Sequence, residues 1–253
     1  MTKEAETIEI QKELFDEKKS KFAKYQELVI GEMGFFKLVK YELIMLLSNN
    51  VPGALGLFLR SKLYPKLLGK VGRNVTFGTN VVLRHPKKVL IGDNVVVDDN
   101  CVLDAKGQNN KGIFIDNGVF LGRNTILNCK NGNIYLGENA NFGFNCHIFA
   151  AGDVKIGKNA LVAAYTYFVG GDHTANRTDI PVLFQPRTAK GVTIGDNVWF
   201  GAGVRVLDGI TIGRDAIIGS NAVVTKDIPD FAIAVGVPAK VIKNRINADT
   251  EKL

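Results

Sequence analysis

Large apolar residues recur every six positions over most of this chain, and that period restricts the possible fold more than any other feature. The steps give seven triplets: Val71, Phe77, Leu83; Ile91, Val97, Leu103; Ile115, Leu121, Leu127; Leu136, Phe142, Ile148; Ile156, Val162, Phe168; Ile194, Phe200, Val206; Ile212, Ile218, Val224. All twenty-one positions are apolar, although hydrophobic residues make up 46% of the chain, so chance would fill fewer than half of them. A helix repeats its apolar face every three or four residues and an open strand every two. A period of six fits neither. A run of aliphatic, Gly, any residue, Asn or Asp, then a small or β-branched residue accompanies it, as in IGDNV at Ile91, LGENA at Leu136, IGKNA at Ile156 and IGRDA at Ile212. The last position of the run is Val75, Val95, Val119, Ala140, Ala160, Val198 or Ala216, four residues after each first anchor.

A triangular coil accounts for this pattern. Each six-residue unit is a short flat strand and a corner, the anchor points into the prism, and Gly, Asn or Asp supply the backbone of the corner. Three units close a turn of about eighteen residues; turns pair at about 4.8 Å, so seven reach roughly 34 Å. First anchors are separated by 20, 24, 21, 20, 38 and 18 residues. The excess between Ile156 and Ile194 forms a long loop, about residues 171–191. Long loops on a rigid scaffold tend to carry function.

The runs IGDNVWFGAG (Ile194 to Gly203), IGSNAVVTKDIP (Ile218 to Pro229) and VGVPAKVIK (Val235 to Lys243) closely resemble the hexapeptide-repeat acyltransferases, and among them the sugar and surface-polysaccharide O-acetyltransferases. The likeness covers about residues 70–245. It implies a left-handed parallel β-helix, an exception to the usual right-handed crossover. It also implies acetyl-CoA as acyl donor and a homotrimer with active sites between neighbouring prisms. The expected organisation is an N-terminal helical segment (1–70), a β-helix of about seven coils (71–230) carrying the 171–191 loop, and a short C-terminal tail (231–253).

Three histidines occur: His85, His147 and His173. His173 lies in GGDHT, five residues after the anchor Phe168, where the chain leaves the coil for the long loop. A sugar hydroxyl is a poor nucleophile and a thioester an activated donor, so a general base typically contributes about 10²–10⁴-fold. Imidazole suits that task near neutral pH. Counted from IGKNA, His173 matches the catalytic base of the sugar acetyltransferases the chain resembles; the bland alternative is a solvated loop residue. Asn145, in GFNC, falls where those enzymes carry active-site asparagines, and otherwise reads as a corner Asn. Asp172 is the carboxylate nearest His173 in sequence and a candidate to orient it.

Resemblance further implies that coenzyme A runs along a groove past Ala202 and Ser220 and meets Thr225, Lys226, Lys240 and Lys243 at its phosphates. Ammonium groups act there as point charges. Trp199 reads as a groove residue or as ordinary packing. Zinc, held by three histidines in hexapeptide-repeat carbonic anhydrases, is not expected, because the anchors place His85, His147 and His173 at different corners and coils, and ligands must lie about 2 Å from one ion. Cys101 and Cys146 fall at small interior positions and read as core thiols.

Upstream of Val71, residues 2–30 carry charges of both signs around a sparse apolar face (Ile8, Ile10, Leu14, Phe15, Phe22, Leu28). Residues 35–69 form two apolar helical segments split by Ser48–Gly53, with basic residues interspersed. Such segments suit an anionic membrane surface or a cap on the end of the prism; the residues leave both open. The coil itself is expected to need nothing upstream of Val71. No stretch is long and uncharged enough to span a membrane, no signal peptide is read, and three cysteines without a CxxC favour a reducing compartment. These point to the cytoplasm, either free or peripheral at the inner face of the membrane. The net charge of +7 fits anionic ligands, with no nucleic-acid module present. The leading expectation is acetyl-CoA-dependent O-acetylation of a sugar hydroxyl in surface-glycan assembly. The alternatives are N-acetylation of a nucleotide-linked amino sugar and a non-catalytic structural or binding β-helix.

Overall fold

The computed structural model describes residues 18–246; the apolar positions Ile8, Ile10, Leu14 and Phe15 lie outside them. From Lys70 the chain winds into a parallel β-helix with three faces. Face one stacks seven strands, from Lys70–Val71 to Thr211–Ile212, and face three stacks seven, from Val82–Arg84 to Val223–Val224. Face two runs from Thr76–Phe77 through Ile217–Ile218 to Ala232–Val235, and its ninth strand, Lys240–Asn244, pairs antiparallel.

Register follows the anchors. Val71 pairs with Ile91, Ile91 with Ile115, Ile115 with Leu136, Leu136 with Ile156, Ile156 with Ile194, and Ile194 with Ile212. Twenty of the twenty-one anchors are buried; Val71, at the open end of the first coil, is partly so. Burying each such side chain contributes about 1.5–3 kcal/mol, and Phe168 adds an edge-to-face contact with Phe200 at 5.2 Å. The corners hold left-handed asparagines: Asn74, Asn94, Asn124 and Asn145 have φ between 54° and 60°. Asparagine tolerates that backbone because its short amide bonds locally. Here the amides also bond one another along the axis, Asn80 to Asn100 at 2.9 Å and Asn124 to Asn145 at 3.0 Å.

Among the described residues three α-helices precede the coil, α1 (Lys21–Tyr25), α2 (Phe35–Ser48) and α3 (Gly53–Leu63), with a π-helical turn at Gln26–Ile30 and a 3-10 turn at Tyr64–Lys66. They pack against the first coil, as the cap reading expects. A first coil leaves unpaired backbone groups at its edge, and the helical segment satisfies four of them. Tyr41 donates its hydroxyl to Leu83 O at 2.7 Å and Arg60 Nε donates to Phe77 O at 2.9 Å. Asn80 N donates to Asn49 O, and His85 N to Val29 O. Tyr41, Ile44, Tyr64, Leu67 and Leu68 join the core of the prism. The cap is therefore real.

The far end also differs from expectation. Ala232–Val235 adds a further turn to face two, so the coil extends past residue 230 into what reads as a tail. No helix among the described residues is long and apolar enough to cross a membrane.

Candidate functional site

The excess of chain between Ile156 and Ile194 leaves the corner between faces three and one, directly after the strand Tyr167–Gly170. It forms a two-stranded antiparallel ribbon, Asp172–His173 against Arg187–Thr188, with His173 opposite Arg187. Gln185, buried under the loop, bonds Arg177 N, Arg177 O and Ile180 O and fixes its bend. Thr174 N donates to Pro186 O, closing the base of the ribbon.

His173 is half-buried, and its Nδ1 is buried without a hydrogen-bond partner among the described residues. Unpartnered buried polar nitrogens are rare, because each costs about 1–3 kcal/mol. Asp172 does not meet the ring: its Oδ1 accepts the His173 backbone N–H at 2.7 Å. The residue facing His173 in the ribbon, Arg187, gives no periodic signal in sequence, because the ribbon lies outside the six-residue register.

Asn145, Ala202 and Ser220 share the corner between faces two and three. Asn145 accepts from Asn124 within the corner ladder, and Asn221 N donates to Ala202 O at 2.8 Å. Small residues are required beside them: a Cβ on Gly201 would lie 2.6 Å from Ser220 N. Two turns earlier the same ridge carries Phe144 and Tyr165, exposed and edge-to-face at 6.0 Å. Trp199 stands half-exposed on face two. Thr225 and Lys226 are exposed on the corner that carries the ribbon, on the last turn, and Lys240 and Lys243 are exposed on the final antiparallel strand.

One chain therefore divides the expected site residues between two corners. His173, Thr225 and Lys226 are on one; Asn145, Ala202 and Ser220 are on the other. The face between them is about six residues long, or up to about 20 Å.

The other histidines are elsewhere. His147 opens a strand of face three and stacks on Tyr167 at 4.7 Å, and burial pushes its imidazole below the ordinary range. His85 bonds Glu27 O through Nε2 at 2.8 Å beside the cap. Among the described residues no three His, Cys, Asp or Glu side chains are grouped to hold a metal ion. All three cysteines are buried; burial drives Cys101 and Cys129 up to about 12 and Cys146 to about 11, so they are not nucleophiles at neutral pH.

Two family profiles match the coil. "Bacterial transferase hexapeptide (six repeats)" covers residues 191–226, and "Hexapeptide repeat of succinyl-transferase" covers 70–105 and 134–167. These three segments of the chain match hexapeptide repeats. A relative of this hexapeptide-repeat protein in Mycobacterium tuberculosis, named a probable acetyltransferase, is 38% identical over 127 residues, 50% of this chain and 42% of the relative. The galactoside O-acetyltransferase of Escherichia coli is 38% identical over 116 residues, 44% of this chain and 54% of that one. The chain thus spans about half the length of the curated relatives it matches. Among solved structures, the polysialic acid O-acetyltransferase OatWY superposes with a TM-score of 0.58 at 22% identity, over 74% of this chain and 90% of that one. An N-acyltransferase from Bacillus cereus superposes with a TM-score of 0.51 at 21% identity, over 74% and 89%. These two likenesses concern the fold.

Proposed function

We infer that this hexapeptide-repeat protein transfers an acetyl group from acetyl-CoA to a sugar hydroxyl in surface-polysaccharide assembly, and that it does so as a homotrimer. The observation that carries the reading is His173, held on an ordered ribbon with a buried ring nitrogen that has no partner among the described residues. The relatives named as acetyltransferases, one of them a galactoside O-acetyltransferase, support the donor and the acceptor class.

The division between corners supports the assembly. A site that uses both His173 and the Ala202–Ser220 ridge requires one prism's ribbon corner to meet another prism's small-residue corner. Such a contact joins unlike surfaces, and on a triangular prism it closes as a ring of three. Coenzyme A would then lie along the ridge of Ala202 and Ser220, with Thr225, Lys226, Lys240 and Lys243 near its phosphates.

In this reading the sugar hydroxyl oxygen attacks the thioester carbonyl while the His173 imidazole accepts the hydroxyl proton. The carbon–oxygen bond forms and the carbonyl becomes an oxyanion, held by donors such as backbone N–H groups. Collapse breaks the carbon–sulfur bond, and the imidazolium returns its proton to the coenzyme A thiolate. Asn145 would contact the acceptor or the oxyanion.

The test supplies acetyl-CoA with a panel of neutral sugars, glycosides and amino sugars and follows thiol release. His173→Ala should lower turnover by at least about 10²-fold with donor affinity unchanged. Lys226→Ala should weaken donor binding, most at low salt, and leave turnover at saturating donor close to normal. Near-normal turnover in His173→Ala ends the assignment, and preferred acetylation of amino sugars moves the reaction to nitrogen.

A further inference from the structure

The two long cap helices carry large apolar side chains on surface that the prism does not cover. In α2 the buried stripe is Tyr41, Ile44 and Ser48; at 100° per residue the opposite side carries Phe35, Val39 and Leu46, with Phe36, Leu43 and Leu47 on the flank beside it. Phe36 is 86% exposed, Leu46 78% and Phe35 70%. In α3 the buried side is Gly56 and Arg60, and the opposite side presents Leu55, Phe58 and Lys62. Exposed apolar surface on two adjacent helices exceeds what a lone surface leucine represents and marks a contact surface.

Charge decides between occupants. Between Glu42 and Asp93 the chain contains eight Lys and Arg and no acidic residue. The acidic residues nearest the patch are already engaged: Glu32 pairs with Lys37 at 2.8 Å, and Glu42 accepts the Tyr25 hydroxyl at 2.5 Å. Lys40, Lys62 and Lys66 stand exposed on the same helical segment, Lys40 and Lys66 along a groove shared with Lys37 and Lys87. Lys62 lies over the Phe58 ring at 5.9 Å, an ammonium beside an aromatic side chain. A second copy seated on this surface would oppose lysine to lysine, which is unfavourable. Apolar and aromatic side chains accompanied by lysine instead match the interface of an anionic bilayer, where the rings enter the headgroup region and the ammonium groups meet phosphate.

We propose that the outer face of α2 and α3 docks this protein on an anionic lipid surface, peripherally and reversibly. The cap thus has two faces: one closes the prism, and the other rests on lipid. This inference does not depend on the acyl-transfer reading.

The test is co-sedimentation of the full chain with vesicles of phosphatidylcholine alone, or mixed with phosphatidylglycerol at about 2:1. The protein is expected to partition onto the mixed vesicles at low salt, to leave them as salt rises, and to ignore the neutral ones. Lys62→Ala with Lys66→Ala should weaken partitioning about 25-fold, about five-fold for each lysine at the surface. Phe36→Ser with Leu43→Gln and Leu47→Gln should abolish it. Both variants should keep the wild-type circular dichroism spectrum and the wild-type mass by sedimentation velocity. Failure of the wild-type chain to bind mixed vesicles at low salt overturns the proposal. Equal binding to neutral vesicles overturns it as well. A change of oligomeric mass in the apolar variant would assign the face to subunit contact instead.

Discussion

Arg60 is a buried guanidinium with no carboxylate bonded to it, and replacing it should detach the cap from the coil. It is 1% exposed and donates to Phe77 O at 2.9 Å, Ser48 O at 3.0 Å, Val51 O at 2.8 Å and, more weakly, Thr79 Oγ1 at 3.5 Å. Two of these acceptors follow the C-terminal end of α2, where carbonyls lack helical partners and a cation is favoured. Arg60→Met keeps most of the volume and removes every donor. Two buried carbonyls and one partly buried carbonyl then lose their partner, at about 1–3 kcal/mol for each buried one. Relief from desolvating the guanidinium offsets part of that sum, and the losses are not additive. A net loss of about 3 kcal/mol is expected. Contacts in a solenoid reach only nearest neighbours, so the loss should fall on the cap and first coil. By native-state hydrogen exchange, the Asn80 amide, which donates to Asn49 O, should exchange about 10²-fold faster than in wild type. Amides of Ile217 and Ile218, far along the prism, should not change. Arg60→Lys should lose most of the same stability, since an ammonium cannot reproduce the planar fork. Unchanged exchange at Asn80, or equal acceleration at both ends, would refute this account.

Three further outcomes follow from the geometry. Burial pushes the His85 and His147 imidazoles below the ordinary 6.5, so as pH falls through 6.5 the unfolded chain takes up protons before the folded one does. Stability, read as the urea midpoint, should therefore fall as pH drops from about 7.5 to about 5.5, with a shallower slope in His147→Gln. Asn124 sits at φ 60° in the corner ladder, so Asn124→Ala should cost about 1–2 kcal/mol in urea unfolding and Asn124→Gly distinctly less, because glycine removes the backbone penalty. Ellman's reagent at about pH 8 should label none of the three cysteines of the folded protein and all three after unfolding, since their thiols are buried and poorly ionised.

The six-residue period made the coil legible because it acts directly on the interior: Phe142, Phe168 and Phe200 point inward wherever the register places them. Corner asparagines were equally readable, since a left-handed backbone selects few residue types. The caps were not. Arg60 among leucines reads as a solvated charge, and only the unpaired Phe77 carbonyl at the coil's edge explains why it is buried. The strand Ala232–Val235 lies beyond the last triplet, and its partner Lys240–Asn244 reads as a basic tail because only backbone pairing recruits it. For the candidate site, the long spacing located the loop, while its ribbon register and the placement of Arg187 opposite His173 depend on cross-strand bonds that no periodicity records.

The two ends of the prism carry a consequence for the protein's length. Stacked parallel strands form a surface on which identical strands could add without limit, as in a fibril. Here the first edge is covered by Tyr41, Asn49 and Arg60, and on face two the last is occupied by a strand running the opposite way. An antiparallel partner cannot present the next parallel register, so it terminates the template. Removing both segments would convert a particle of fixed size into a monomer unit for end-to-end polymerisation. The helices and the final strand thus act as chain terminators for the solenoid itself.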